Sequence, residues 1–105
     1  MARGREMYVY FMRAGEDGPI KIGMTSKLEK RLAEMQTGNH LELNYIACIP
    51  CDNRKEAHKL ESDFHRFFRR QSIRGEWFSG DIDFNKIKNF HRKDLEVIEQ
   101  IGKQE

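Results

Sequence analysis

The chain has 105 residues, 34% of them charged and 38% hydrophobic, with a formal net charge of +2. That length supports one core of ordinary size and not two. The pI near 8.6 permits a nucleic-acid partner without arguing for one, because local clustering of charge carries that signal. No apolar run approaches the roughly 18 residues that span a bilayer, and none follows the N-terminal charges as a secretory signal requires. No membrane partner is therefore expected, and the default is a cytoplasmic or virion-associated protein.

Residues 1–6 are polar and read as a disordered start. Residues 8–11 and 20–23 both alternate with period two, and Gly15, Gly18 and Pro19 lie between them, so an antiparallel hairpin is expected. Pairing Tyr10 with Lys21 sets Val9 against Ile22 and Phe11 against Ile20, which makes one face apolar. The other face then presents Tyr8, Tyr10 and Lys21 beside Gly23, a phenol and an ammonium next to a residue without a side chain.

A first helix follows, with Ser26 as N-cap, Glu29 in capping-box position, and Leu28, Leu32 and Met35 as its buried stripe. It should stop near Thr37 and Gly38. Arg31 lies three after Leu28 and four before Met35, on the edge of the stripe. Two readings stand: a stem that carries its head to water, or a guanidinium aimed into a cleft.

Residues 41–49 alternate as a third strand, with Leu41, Leu43, Tyr45, Ala47 and Ile49 on one side. Cys48 and Cys51 form a C-x-x-C, which admits a redox pair or half a zinc site with His40 or His58 as nearest further ligands. Two small buried hydrophobes explain the pair more cheaply. The second helix is expected over 54–68, with Ala57, Leu60, Phe64 and Phe67 or Phe68 facing the core. Glu61 interrupts that face, and His65 shares its side one turn later. A carboxylate there is either a salt-bridge partner, for instance of Arg31, or a hard oxygen ligand for a divalent cation.

Arg66, Arg69, Arg70 and Arg74 are interleaved with Phe67, Phe68 and Trp77, and between Phe64 and Phe78 the one acid is Glu76. Arginine's planar fork suits phosphate, although cations also gather at helix ends with no ligand at all. Gly75 to Phe78 read as an extended segment anchoring Trp77 and Phe78 in the core. A third helix is expected from Asp81 to about Gly102, with Ile87, Leu95, Ile98 and Ile101 as its apolar side and Phe84 and Phe90 contributing. The period breaks at residues 91–94, which marks a bend or a junction between two helices. The expected fold class is α+β: a three-stranded antiparallel sheet flanked by about three helices, with a domain over 7–80 and a C-terminal helix over 81–105 packed on it or extending it.

Tyr8-Val9-Tyr10, Lys21-Ile22-Gly23, Arg31, and Glu61 within Ala57-x-x-Leu60-Glu61 together resemble the GIY-YIG nuclease superfamily. The KIGMT strand, the QTG after the first helix, the LE-x-x-x-H ending at His65, and the GEWF of residues 75–78 look like its small phage- and virus-associated branch, often described as DNA-binding. The resemblance covers about residues 8–78. It implies a GIY-YIG-like fold and a DNA endonuclease using one Mg²⁺, with Mn²⁺ as a substitute. It implies further that Tyr10 touches the attacking water, Arg31 holds the scissile phosphate and Glu61 binds the metal, while Lys21 stands where most members have a tyrosine and His65 fits the branch pattern without a transferred role.

Tyr8, Arg66, Arg69, Arg70 and Arg74 are the candidate DNA contacts, and the expected state is a monomer or homodimer in the cytoplasm, or the host-cell interior for a phage protein. Three positions depart from the family: Tyr8 replaces its first glycine, Lys21 its second tyrosine, and Met35 the extra His or Tyr that many members carry. A DNA-binding module of the same fold without turnover is the second reading, and a redox or zinc protein resting on Cys48 and Cys51 the third. The nuclease reading requires that the Glu61 carboxylate and the Tyr10 hydroxyl share one side of the sheet.

Overall fold

Alternating apolar residues make the first two strands, and burial of Met12 and Ala14 carries them further than the sequence pattern indicates. The computed structural model describes residues 7–83, 85 and 86. Strand β1 runs Met7–Ala14 and β2 runs Ile20–Thr25, joined through residues 15–19 with the Ala14 N–H donating to the Pro19 carbonyl at 3.0 Å. The observed register pairs Tyr10 with Gly23 and Met12 with Lys21, two residues displaced from the expected one. Since the side-chain period is two, a shift of two keeps every residue on its expected face and changes only its partner. Helix α1 spans Leu28–Thr37, β3 Leu43–Cys51 and α2 Arg54–Phe67; a 3₁₀ turn at Arg69–Gln71 precedes β4, Ser72–Arg74, and β5, Trp77–Phe78.

The fold class is α+β as expected, but the sheet has five strands, not three, in the order β3-β1-β2-β5-β4. Strands β4 and β5 have three and two residues, too few to show a period; only pairing with β2 makes them strands. The described residues hold two α-helices. The expected disordered start at 1–6 and most of the expected third helix lie outside the described residues; within them, Asp83 Oδ1 accepts from the Asn85 N–H at 2.9 Å. No helix of the described chain is long and apolar enough to cross a membrane.

Both faces of the sheet are buried. Val9, Phe11, Ile20, Ile22 and Ile49 pack against Ala57, Leu60, Phe64 and Phe68 on the α2 side. Tyr10, Met12, Leu43, Tyr45 and Cys48 form a second core beneath Leu28, Leu32 and Met35 of α1. The phenol-bearing face is thus itself packed and open only at its margin. Helix α1 has no fully buried residue; the Tyr45 hydroxyl, donating to the Leu28 carbonyl at 2.7 Å, ties it down. Ser26 does not cap this helix: Lys27 occupies the N-cap without a side-chain bond, while Thr25 Oγ1 accepts from the Lys27 N–H at 3.1 Å. In α2, by contrast, the Asn53 side chain caps Glu56 N at 2.8 Å, and Glu56 answers by accepting from Asp52 N.

A bulge corrects the reading of β3. Phe11 pairs with Ala47 and Met12 with Tyr45, leaving Ile46 as the extra residue. Leu43 and Tyr45 therefore face α1 while Ala47 and Ile49 face α2, so four of the five residues expected on one side divide between two, and Leu41 lies exposed before the strand begins. Cys48 and Cys51, three apart in the same strand, fall on opposite faces, Cys48 in the α1-side core and Cys51 in the α2-side core, both buried. Thiols on opposite faces of a sheet can share neither a disulfide nor a metal ion, and the redox or zinc reading fails on that geometry.

Candidate functional site

Strand β5 is so short that it pairs only with Ile20 and Lys21 of β2. At Ile22 the β2 edge is met instead by single groups: its N–H donates to the Glu76 carbonyl at 2.9 Å, and its own carbonyl lies 2.9 Å from His65 Nε2. A carbonyl only accepts, so Nε2 carries the hydrogen and is not free to take another. The ring also stands edge-on to Phe78 at 5.0 Å. His65 thereby pins α2 to the rim of the sheet, and Glu61, one turn earlier, lies 3.7 Å from the same nitrogen.

Over that rim comes the Tyr10 phenol. A Cβ on Gly23 would stand 2.7 Å from Tyr10 Oη, 2.8 Å from its Cζ and 3.3 Å from Glu76 Oε1. Glycine is needed there because the phenol and a carboxylate already occupy the space of a side chain. Tyr10 is 1% exposed and packs edge-on against Tyr45 at 5.3 Å. Lys21 Nζ lies 3.0 Å from Glu76 Oε1 and 5.6 Å from the centre of the Trp77 ring. The carboxyls of Glu61 and Glu76 are within hydrogen-bonding reach of each other. Although α2 and Tyr10 belong to opposite faces, both Glu61 and the phenol thus reach Glu76 around the open edge.

These neighbours set the ionisation. Burial, with Glu76 adding to it and Lys21 opposing, pushes the Glu61 carboxyl from 4.5 up to about 7. Burial likewise pushes Tyr10 up to about 12; the Arg31 charge works against it, and Glu76 and Glu61 add to it. The Lys21 ammonium is paired with Glu76 instead. Arg31 reaches this cluster from α1, and its Nε is buried without a hydrogen-bond partner among the described residues.

Tyr10, Lys21, Arg31, Glu61 and His65 are therefore brought together. The basic strip is divided. Arg74 pairs with Trp77 and so stands on the site's side of the sheet, as does half-buried Tyr8. Arg66 is exposed, with Nη1 3.4 Å from Asp63. Arg69 and Arg70 line a different cavity of about 300 Å³ with Phe67, Gln71 and Asp81. Glu76 is the site residue that pattern reading passes over. Its one signal is being the sole acid among the arginines between Phe64 and Phe78.

A carboxyl raised in the fold keeps a proton that the unfolded chain releases. Its stabilising contribution is whole below about pH 4.5 and is lost as pH climbs through about 7. In the absence of divalent cations, wild-type protein should therefore lose more thermal stability between pH 5 and pH 8 than Glu61→Gln protein does. Equal losses in paired melting curves would contradict the assigned environment of Glu61.

The T5orf172 domain model matches residues 7–101. The chain belongs to that family. The T5orf172 domains are phage-associated and related to the GIY-YIG nucleases, and a nuclease-like or DNA-binding role is consistent with membership. No curated protein and no solved structure matches the chain.

Among the described residues no group of three His, Cys, Asp or Glu side chains is arranged to hold a metal ion. This T5orf172 domain does offer two adjoining carboxyls, Glu61 and Glu76. Carboxylate oxygens are hard donors of the kind a divalent cation takes, so Glu61 is the residue here that could hold one.

Proposed function

We propose that this T5orf172 domain is a Mg²⁺-dependent endonuclease that hydrolyses DNA phosphodiesters one strand at a time, with Mn²⁺ as a substitute. The observation that carries the reading is the meeting, at one open sheet edge, of a guanidinium whose buried Nε has no hydrogen-bond partner among the described residues, a carboxyl pair and a phenol. A site that only held DNA would gain nothing from carboxylates facing phosphate, which repel it.

Each residue has a distinct part. Glu61 would hold the cation, which when bound supplies positive charge against that developing on the phosphate. Arg31 directs its guanidinium at the non-bridging oxygens, where charge accumulates in the transition state. Tyr10 is a neutral phenol near pH 7, as any tyrosine is, and burial pushes its ionisation further away, up to about 12, so it orients the attacking water rather than deprotonating it. Lys21 adds a second cation at the same edge, and His65 fixes the helix that carries Glu61. Arg74 and Tyr8 flank the site, while Arg66, Arg69 and Arg70 extend the contact with backbone phosphates further round the molecule.

Supercoiled plasmid provides the test. Wild-type protein should convert it first to the nicked circle in Mg²⁺ or Mn²⁺, and EDTA should stop the reaction. Salt-sensitive binding with no nicking in either metal would leave the second reading, a DNA-binding module of the same fold. A monomer with one such site cuts one strand per encounter, so linear product should appear only later or through a homodimer. A phage-associated domain with this activity would act in the host-cell interior.

A further inference from the structure

We infer that Tyr45 is a positioning residue for Arg31: its hydroxyl holds the helical turn that carries the guanidinium, while its ring stays packed on Tyr10. The inference rests on the nuclease reading of this site. It starts from how the fold aims Tyr45. On an unbroken strand Tyr45 would share a face with Ala47 and Ile49, which pack on the α2 side. The extra residue Ile46 reverses that, so Tyr45 pairs with Met12 and turns to the face of Tyr10. Bulges are used in this way to re-aim a side chain beside a site. Here the side chain is 1% exposed and bridges the sheet and α1.

Each end of Tyr45 meets a different part of the site. The ring stands edge-on to Tyr10, with 5.3 Å between centres and 69° between planes. The hydroxyl donates to the Leu28 carbonyl at 2.7 Å. Leu28 opens α1, and Arg31 follows three residues later on the same side of the same turn. That end of the helix is otherwise lightly held. Its N-cap, Lys27, makes no side-chain cap bond, and no residue of α1 is fully buried. Thr25 Oγ1 accepts from the Lys27 N–H at 3.1 Å, one residue before the helix begins. Gln36 secures the opposite end, accepting from the Leu43 N–H at 2.8 Å and donating to the Leu41 carbonyl at 2.8 Å. Releasing the Leu28 carbonyl would therefore let the turn of Arg31 shift while the far end stays in place. The buried Nε of Arg31 has no hydrogen-bond partner among the described residues, so no bond of its own would resist that shift. A preorganised donor stabilises a transition state only while it is aimed beforehand. The rival account makes Tyr45 a core residue whose loss weakens the fold and nothing more specific.

Tyr45→Phe separates the two, since it keeps the ring on Tyr10 and removes only the bond to Leu28. The variant should nick supercoiled plasmid about ten- to a hundredfold more slowly, as displacement of a reacting group by up to an ångström does. The log–log salt dependence of its DNA binding should be shallower by about one phosphate contact. Added to Arg31→Ala, it should slow nicking no further, because the arginine it positions is already gone. Wild-type nicking in Tyr45→Phe overturns the inference. So does a slowing of Arg31→Ala protein by the same factor as wild type, which is what a general weakening of the fold produces. Either result leaves the nuclease reading standing. A wild type that never nicks removes that reading, and the salt dependence then decides. A shallower slope in Tyr45→Phe still shows Tyr45 aiming Arg31 at phosphate, and an unchanged one overturns the inference as well. Should Tyr45→Phe lack a cooperative melt, Tyr45→His, with a ring and a donor of shorter reach, is put through the same measurements and judged by the same outcomes.

Discussion

Arg31→Ala protein should nick plasmid at least about 10²- to 10³-fold more slowly than wild type, the loss typical of removing one preorganised donor from a developing oxyanion. The physical reason lies in the unpaired Nε. A buried donor left without an acceptor costs free energy in the resting protein, and a guanidinium held so is already desolvated and oriented for a phosphate. Folding should hardly suffer, because α1 has no fully buried residue and is anchored through Tyr45 and Leu28 instead. Thermal midpoints of the two proteins should therefore agree within a few degrees. Arg31→Lys should recover little, since an ammonium lacks the planar fork that engages two oxygens together. In DNA-binding titrations the variant's log–log salt dependence should be shallower by about one phosphate contact. Nicking within threefold of wild type would remove Arg31 from the mechanism.

Gly23→Ala should damage both stability and cleavage, and for one cause. The new methyl would lie 2.7 Å from the Tyr10 hydroxyl and 2.8 Å from its ring carbon, closer than non-bonded atoms tolerate. Tyr10 has nowhere to retreat: its ring abuts Tyr45 and is shielded from solvent. Either the ring leaves its rotamer or β2 moves outward, at a cost of about 1–3 kcal/mol, as overpacking usually exacts. Each escape displaces the phenol from Glu76 and the site, so nicking should fall by about 10²-fold, as misplacement of a reacting group by an ångström does. The clash is with the phenol, so Tyr10→Phe should soften the stability penalty of Gly23→Ala when the two are combined. An alanine variant with wild-type melting and wild-type cleavage would show that the phenol does not use the space over Gly23.

Two of the residues in these predictions were visible in the one-dimensional pattern for different reasons. Arg31 stands out because it interrupts the edge of an apolar helical stripe, and Glu61 does the same in the next helix. Period alone says that such residues lie near the core boundary; it does not say what they face. Gly23 and Tyr10 were legible as neighbours because a hairpin's faces survive any even error in register, and the error was two. His65 was placed on the right side of its helix, but its partner, the Ile22 carbonyl, belongs to a strand more than forty residues away and leaves no local trace.

Composition, period and turn residues by themselves determined a single α+β domain, its hairpin, its two described helices and the identity of most groups at the site, because those signals act over a few residues. Tertiary structure alone decided that the sheet has five strands, that a bulge at Ile46 divides the apolar residues of β3 between two cores, and that Glu76 stands beside Glu61. Each of these depends on backbone groups pairing across long stretches of chain, and a backbone N–H carries no side-chain pattern by which its distant partner can be read.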